Sequence, residues 1–156
     1  MNDTLTAVYE SGMPAIVMWP NADAGSDLAA KAIRRFRETS NPENIHFFIN
    51  LEPQDFLALL IKSRGILGNS SVGIRECSFL GIPAVDIGTR QSGRERGHNV
   101  INVGHDKNDI KSAISKHLRN GKKHPSINLY GSGDAGKRIA EILPSLSCQI
   151  EKKFAE

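Results

Sequence analysis

The chain has 156 residues, a length that fits one domain able to bury about 68–70% of its unfolded surface. Its 39% hydrophobic and 24% charged residues are those of an ordinary globular protein and exclude a disordered or membrane-embedded chain. The net charge of +3 and a pI near 9.0 admit an anionic ligand, but 6% aromatics with no basic run threaded among them exclude a base-stacking nucleic-acid surface.

Taken in order, residues 3–11 read as a helix with Leu5, Val8 and Tyr9 on one side, closed by Gly12-Met13-Pro14. Ala15 to Trp19 is a continuous apolar run, the pattern of a strand buried on both faces. A loop from Pro20 to Ser26 leads to a helix over 27–37, with Leu28, Ala32, Ile33 and Phe36 inward. Strands over 45–49, 66–67, 84–87 and 99–103 follow, alternating with helices over 53–62, 72–80 and 107–118. A basic loop at 119–125 and the turn Tyr130-Gly131-Ser132-Gly133-Asp134 precede a last helix over 135–143, with Asp134 expected to cap it. Such alternation predicts a single α/β domain over 1–156, a parallel sheet with helices on both faces.

Two cysteines, Cys77 and Cys148, lie far apart with no metal-binding spacing. They predict a free buried thiol at Cys77 and a reducing, cytoplasmic setting. The residues Met1-Asn2-Asp3-Thr4 carry neither the basic nor the apolar region of a signal peptide, and the longest apolar runs are strand-sized, so no membrane association is expected.

Two stretches carry chemistry. In Gly68-Asn69-Ser70-Ser71-Val72-Gly73-Ile74-Arg75-Glu76 a strand turns through Gly and Ser/Asn directly into a helix. Backbone N–H groups at the positive end of a helix dipole, with the Ser70 and Ser71 hydroxyls beside them, suit a phosphate, and Glu76 could accept from adjoining sugar hydroxyls. The plainer account is that one serine caps the helix and Gly68 only turns the chain. The second stretch, Gly88-Thr89-Arg90-Gln91-Ser92-Gly93-Arg94-Glu95-Arg96-Gly97, follows the next strand and holds three arginines among three glycines. Arginine's planar fork suits phosphate oxygens; a solvated mobile loop is the bland alternative. Asn21 and Asp23 follow the first strand and either form an Asx turn or reach a sugar or phosphate oxygen. In a parallel sheet all these loops share the carboxyl rim, where ligands bind. His46 and His98 stand without a nucleophile or acid in a recognisable pattern and read as satisfied or exposed histidines.

With these residues in hand, the sequence resembles the hydrolysing UDP-N-acetylglucosamine 2-epimerases. The likeness rests on Asn69 to Glu76, Leu80-Gly81-Ile82-Pro83, Gly88 to Glu95, the upstream Trp19 to Ser26 and the later Tyr130 to Asp134, in the same order. It runs from about Thr4 to Leu143 and covers only the second half of a two-domain protein of the glycosyltransferase-B type. The resemblance implies a Rossmann-like C-terminal domain that holds UDP or a UDP-sugar. It implies that Ser70 and Ser71 meet the diphosphate, Glu76 the ribose, Arg90 and Asn21 the nucleotide at the rim, and the backbone near Leu51 the uracil.

The family's reaction eliminates UDP and adds water to the resulting glycal, giving N-acetylmannosamine, in sialic acid or amino-sugar biosynthesis. Its acids and bases lie on the N-terminal domain and in a histidine motif upstream of Met1; no catalytic residue, metal or cofactor is carried over to this chain. The expectation is therefore a domain that binds but does not turn over alone, with the N-terminal domain as partner. Association into a homo-oligomer is left open. The alternatives are a stand-alone or split UDP-sugar-binding or regulatory module, and the C-terminal half of a related glycosyltransferase.

Overall fold

The computed structural model describes residues 1–21, 25–119 and 122–147. Helix α1 (Asn2–Glu10) is followed by β1 (Ala15–Met18), α2 (Ser26–Ser40), β2 (Ile45–Phe48), α3 (Pro53–Lys62) and β3 (Ile66–Gly68). A 3-10 turn at Ser71–Gly73 leads to α4 (Glu76–Leu80), then β4 (Ala84–Ile87), β5 (Val100–Val103), α5 (Lys107–Ala113) and α6 (Ala135–Ile142). The local signals are those expected of each element. Pro53 occupies the first turn of α3, where its missing N–H costs nothing. Asp106 caps α5, its Oδ1 accepting from the Asn108 and Asp109 N–H groups at 2.8 and 3.2 Å.

All five strands pair in parallel, as the α/β alternation requires, but they form two sheets: β1 with β2, and β3-β4-β5. Alternation along the strands separates two faces. On one face α1, α2 and α5 cover Ala15, Val17 and Ile45 in one sheet and Leu67, Val85, Ile87, Ile101 and Val103 in the other. On the opposite face Phe56 and Leu60 of α3 and Cys77 of α4 pack on Ile66, Ala84 and Val100. Glu10 pins α1 to α5 by pairing with both Lys107 and Lys111 at 2.9 Å.

The structure corrects several expectations. β1 is not buried on both faces: Ile16 is 40% exposed, and Phe48 on β2 is 42% exposed, because no helix among the described residues covers that face of β1 and β2. The helix expected over 72–80 is broken. Gly73 and Ile74 are drawn onto the sheet, where a Cβ at Gly73 would lie 3.3 Å from Ala84 Cβ, so the chain makes a tight 3-10 turn before α4. The helix over 107–118 widens into a π-turn at Ile114–Leu118, burying Ile114 and Leu118. Asp134 holds the N-cap position of α6 without capping it, since its carboxylate accepts from the Ser132 hydroxyl instead. None of the described residues of α6 is buried. Asp23 and Cys148 lie outside the described residues.

Candidate functional site

The site is built from β3 and β4. β3 ends at Gly68 with φ +145°, a left-handed region open to glycine, and the chain turns sharply into Asn69-Ser70-Ser71. Ser70 Oγ accepts from the Val72 N–H at 3.4 Å, a weak cap that leaves the hydroxyl hydrogen free to donate. The serine-cap reading and the ligand reading therefore coexist at Ser70. A cavity of about 10 Å³ lies beneath the turn, lined by Gly68, Ser70, Gly73 and Asp86. α4 is only five residues long, so its dipole is small and anion attraction here rests on the local N–H groups, the hydroxyls and arginine. Glu76 is the first residue of α4 and is exposed.

The arginine-rich loop docks on this turn. Arg90 Nη1 donates to the Asn69 carbonyl oxygen at 3.3 Å, and Gln91 Nε2 donates to the same oxygen at 2.8 Å. Gln91 is 3% exposed, which is incompatible with a freely solvated loop. Beneath it lies a buried polar scaffold that the loop's composition did not reveal. Asp86, pointing from β4 and 4% exposed, accepts from Arg96 Nη2 at 3.0 Å, and the same nitrogen donates to the Gln91 carbonyl oxygen at 3.0 Å. Asn102 of β5 donates to the Asp86 and Gly88 carbonyl oxygens, both at 2.9 Å. Tyr130 donates to the Glu95 carbonyl oxygen at 2.7 Å and ties the Tyr-Gly-Ser-Gly-Asp segment to the far side of the loop.

Asp86, Gln91, Arg96 and Asn102 are thus positioning residues: sequence reasoning passed over Asp86, Gln91 and Asn102 and counted Arg96 among the anion-clamping arginines, whereas its Nη2 is held by Asp86 and the Gln91 carbonyl. The signal was present in Asp86: a carboxylate in the middle of Ala84-Val85-Asp86-Ile87 must find a partner if the strand is buried.

The remaining candidates reach the rim separately. Asn21 and Leu51 lie just beyond the carboxyl ends of β1 and β2, and no hydrogen bond among the described residues ties either to the Asn69–Glu76 turn. The histidines stay out of the arrangement. His46 and His98 are exposed, while His117 Nε2 lies 2.7 Å from the Asn99 carbonyl oxygen. His124 sits beside His117 with ring centroids 5.3 Å apart, and burial, with its basic neighbours, holds its pKa below the usual value. Cys77 is fully buried, and burial, with the Glu76 charge adding to it, pushes its thiol up to about 12. Among the described residues no cluster of ligating side chains could hold a metal ion, and no helix is long and apolar enough to cross a membrane.

This geometry can be set beside known proteins. A family model described as UDP-N-acetylglucosamine 2-epimerase matches residues 1–144. A UDP-N-acetylglucosamine 2-epimerase of Neisseria meningitidis is 30% identical over 96% of this chain and 40% of its own length. A hydrolysing UDP-N,N'-diacetylbacillosamine 2-epimerase of Legionella pneumophila is 31% identical over 91% of this chain and 37% of its own. The fold is similar to that of the Methanocaldococcus jannaschii UDP-GlcNAc 2-epimerase, whose crystal structure contains UDP-GlcNAc and UDP. The TM-score is 0.64 at 19% identity, covering 93% of this chain and 41% of that one. The chain spans about two fifths of the length of these relatives. With its Rossmann-like parallel strands, its serine turn and its docked arginine loop, the chain belongs to the UDP-N-acetylglucosamine 2-epimerase family.

Proposed function

We propose that this chain is the C-terminal, UDP-holding domain of a hydrolysing UDP-N-acetylglucosamine 2-epimerase, which converts UDP-GlcNAc and water to N-acetylmannosamine and UDP. The observation that carries the reading is the convergence of Arg90 and Gln91 on the Asn69 carbonyl oxygen, which fixes the arginine loop against the serine turn. A diphosphate placed there meets Ser70 and Ser71 from one side and the Arg90 guanidinium from the other. Glu76 takes the ribose hydroxyls, and Asn21 and the Leu51 backbone contribute from the neighbouring strands. Elimination of UDP builds negative charge on the departing diphosphate, and these groups offset it.

The proton transfers at the sugar belong to the N-terminal domain in this reading, so the isolated chain binds without turnover. Half a cleft leaves much of the ligand in water, and affinity for UDP is expected on the order of 0.1–10 mM. The test is an NMR titration of the isolated chain with UDP. Amide shifts centred on Asn69–Glu76 and Gly88–Arg94, lost in both Ser71→Ala and Arg90→Ala, are the expected result. Shifts elsewhere, or none at 10-fold above the weakest affinity given, would withdraw the site.

A further inference from the structure

Asp86 lies on β4 between two partners in register, Gly68 of β3 on one side and Asn102 of β5 on the other. Strand alternation puts its side chain on the same face as that of Ala84, the face covered by α3, α4 and the Ser71–Gly73 turn. Both side-chain bonds to the carboxylate fall on Oδ2. Arg96 Nη2 donates to it at 3.0 Å from the loop, and Asn102 Nδ2 at 3.2 Å from the β5 side. Oδ1 is left toward β3, where Gly68 presents no side chain. It is buried and has no protein partner among the described residues.

A buried carboxylate oxygen without a hydrogen bond is costly and uncommon, so the space around it decides what meets it. The cavity of about 10 Å³ beneath the serine turn borders Asp86. Apart from Asp86 and Ser70 it is bounded by Gly68, Gly73 and apolar residues of β3 and β4. Its volume is that of one water molecule. A wholly apolar void of that size stays dry, but this one adjoins an acceptor in need of a donor and a serine with lone pairs to offer. Gln91 Oε1 and Arg96 Nε also lack a protein partner, yet neither residue lines the cavity.

We propose that this cavity is the site of one ordered water, which donates one hydrogen to Asp86 Oδ1 and the other to Ser70 Oγ. The directions follow from what each group can do. An ionised carboxylate only accepts, so the water must donate to it. Ser70 Oγ has two lone pairs and one hydrogen, and the Val72 N–H fills the first lone pair at 3.4 Å. The water fills the second. The serine hydrogen is then directed to the rim, where it can be given to a phosphate oxygen. The reverse orientation, with Ser70 donating inward, would leave one water hydrogen among apolar walls. Asp86 is thereby a positioning residue that acts on Ser70 through the water, and immobilising one water costs less than leaving the carboxylate oxygen unpaired. The orienting role rests on the UDP-holding reading; the water site does not.

A crystal structure of this chain, at a resolution that shows ordered water, is the direct test. Density within hydrogen-bond distance of both Asp86 Oδ1 and Ser70 Oγ is the expected result. No water at that point, or Ser70 Oγ bonded directly to Asp86, overturns the proposal. In solution, oxygen-17 relaxation dispersion counts long-lived internal waters. A Cβ at Gly73 would lie 3.3 Å from Ala84 Cβ and 3.5 Å from Ile66 Cγ2, inside the wall of the cavity. Gly73→Ala should therefore lower the count by one, and an unchanged count overturns the site.

Titration with UDP reads the orienting role. Ser70→Ala should weaken UDP about 10-fold in the parent chain and less than about 3-fold in the Gly73→Ala background, where no water directs the hydroxyl. Equal losses in the two backgrounds overturn that role. Absence of UDP shifts at the turn in the parent chain would instead withdraw the nucleotide reading, and the orienting role with it, while the density and the water count still decide the site.

Discussion

The Arg96 guanidinium donates through one nitrogen, Nη2, to the Asp86 carboxylate and to the Gln91 backbone carbonyl, both at 3.0 Å. A strand carboxylate and a loop carbonyl are thereby held by the same charge. Removing Arg96 leaves a nearly buried carboxylate without its counter-charge, which is far more costly than never having built the pair. Arg96→Ala should destabilise the fold by about 2–3 kcal/mol, at the low end for such pairs because Arg96 is 28% exposed. Arg96→Lys should recover about half or more, since both bonds run through one nitrogen and a single ammonium can donate to both oxygens. Urea unfolding of both variants and of Asp86→Asn, with the double variant closing the cycle, measures the coupling.

Arg90 acts at the surface of that scaffold. A charged hydrogen bond to phosphate contributes about 1.5–3 kcal/mol, so Arg90→Ala should weaken UDP binding by about 10- to 100-fold while lowering the melting temperature less than Gln91→Ala does, because its bond to Asn69 is the longer and more exposed of the two. Gln91→Ala should do both, lowering stability and weakening UDP, because Gln91 is buried and anchors the loop on Asn69. Calorimetric titration beside thermal melts separates the two patterns; equal destabilisation in both variants would refute the division of labour.

Much of this arrangement was legible in the residues. The Gly68-Asn69-Ser70-Ser71 turn and the Arg90 loop declared themselves because loop chemistry is local: glycine, serine and arginine keep their meaning wherever a strand ends. The scaffold beneath them was not legible, because Asp86 and Asn102 are brought together by strand register and Arg96 by the folding back of its loop, rather than by spacing. The burial of β1 was misread for a related reason. Ala15 to Trp19 is apolar enough for a strand covered on both sides, yet an apolar run states only what it needs, and Ile16 and Phe48 find no covering helix among the described residues. The broken helix after Ser71 belongs to the same class, since the pull of Ile74 and Gly73 onto the sheet is a tertiary effect that propensity does not record.

The turn after α4 gives a sharper prediction. Gly81 has φ +66°, and a Cβ there would lie 2.0 Å from the His124 backbone carbonyl oxygen, which is itself held near by the His124 N–H bonded to the Gly81 carbonyl oxygen at 2.7 Å. Alanine would meet both a left-handed backbone and a rigid neighbour. Gly81→Ala should cost at least about 1–3 kcal/mol and release the 122–127 segment. Faster amide exchange at His124 and Ile127, whose N–H groups bond to Gly81 and Ser78, is the local signature. Gly136→Ala, with open space around its Cβ position in α6, is the matched control and should be neutral or stabilising.

Cys77 makes stability depend on alkaline pH in a direction that can be worked out. Its thiol is raised from 9.0 to about 12, chiefly by burial and secondarily by the Glu76 charge, so the folded state favours the protonated form. The unfolded chain gives up this proton near its ordinary value, whereas the folded chain holds it. Below about pH 8 both states are protonated and the contribution is constant; as pH rises from about 9 toward 12 the unfolded state is increasingly favoured and stability falls. Cys77→Ala should flatten that part of the profile, at the cost of a small cavity beside Leu60, Ile82 and Ala84. The same burial makes the native thiol inert: at pH 8 a thiol-specific reagent should label Cys77 only after urea is added, and rapid labelling of Cys77 in the native protein would show that the packing between α3, α4 and β4 opens far more readily than its complete burial implies.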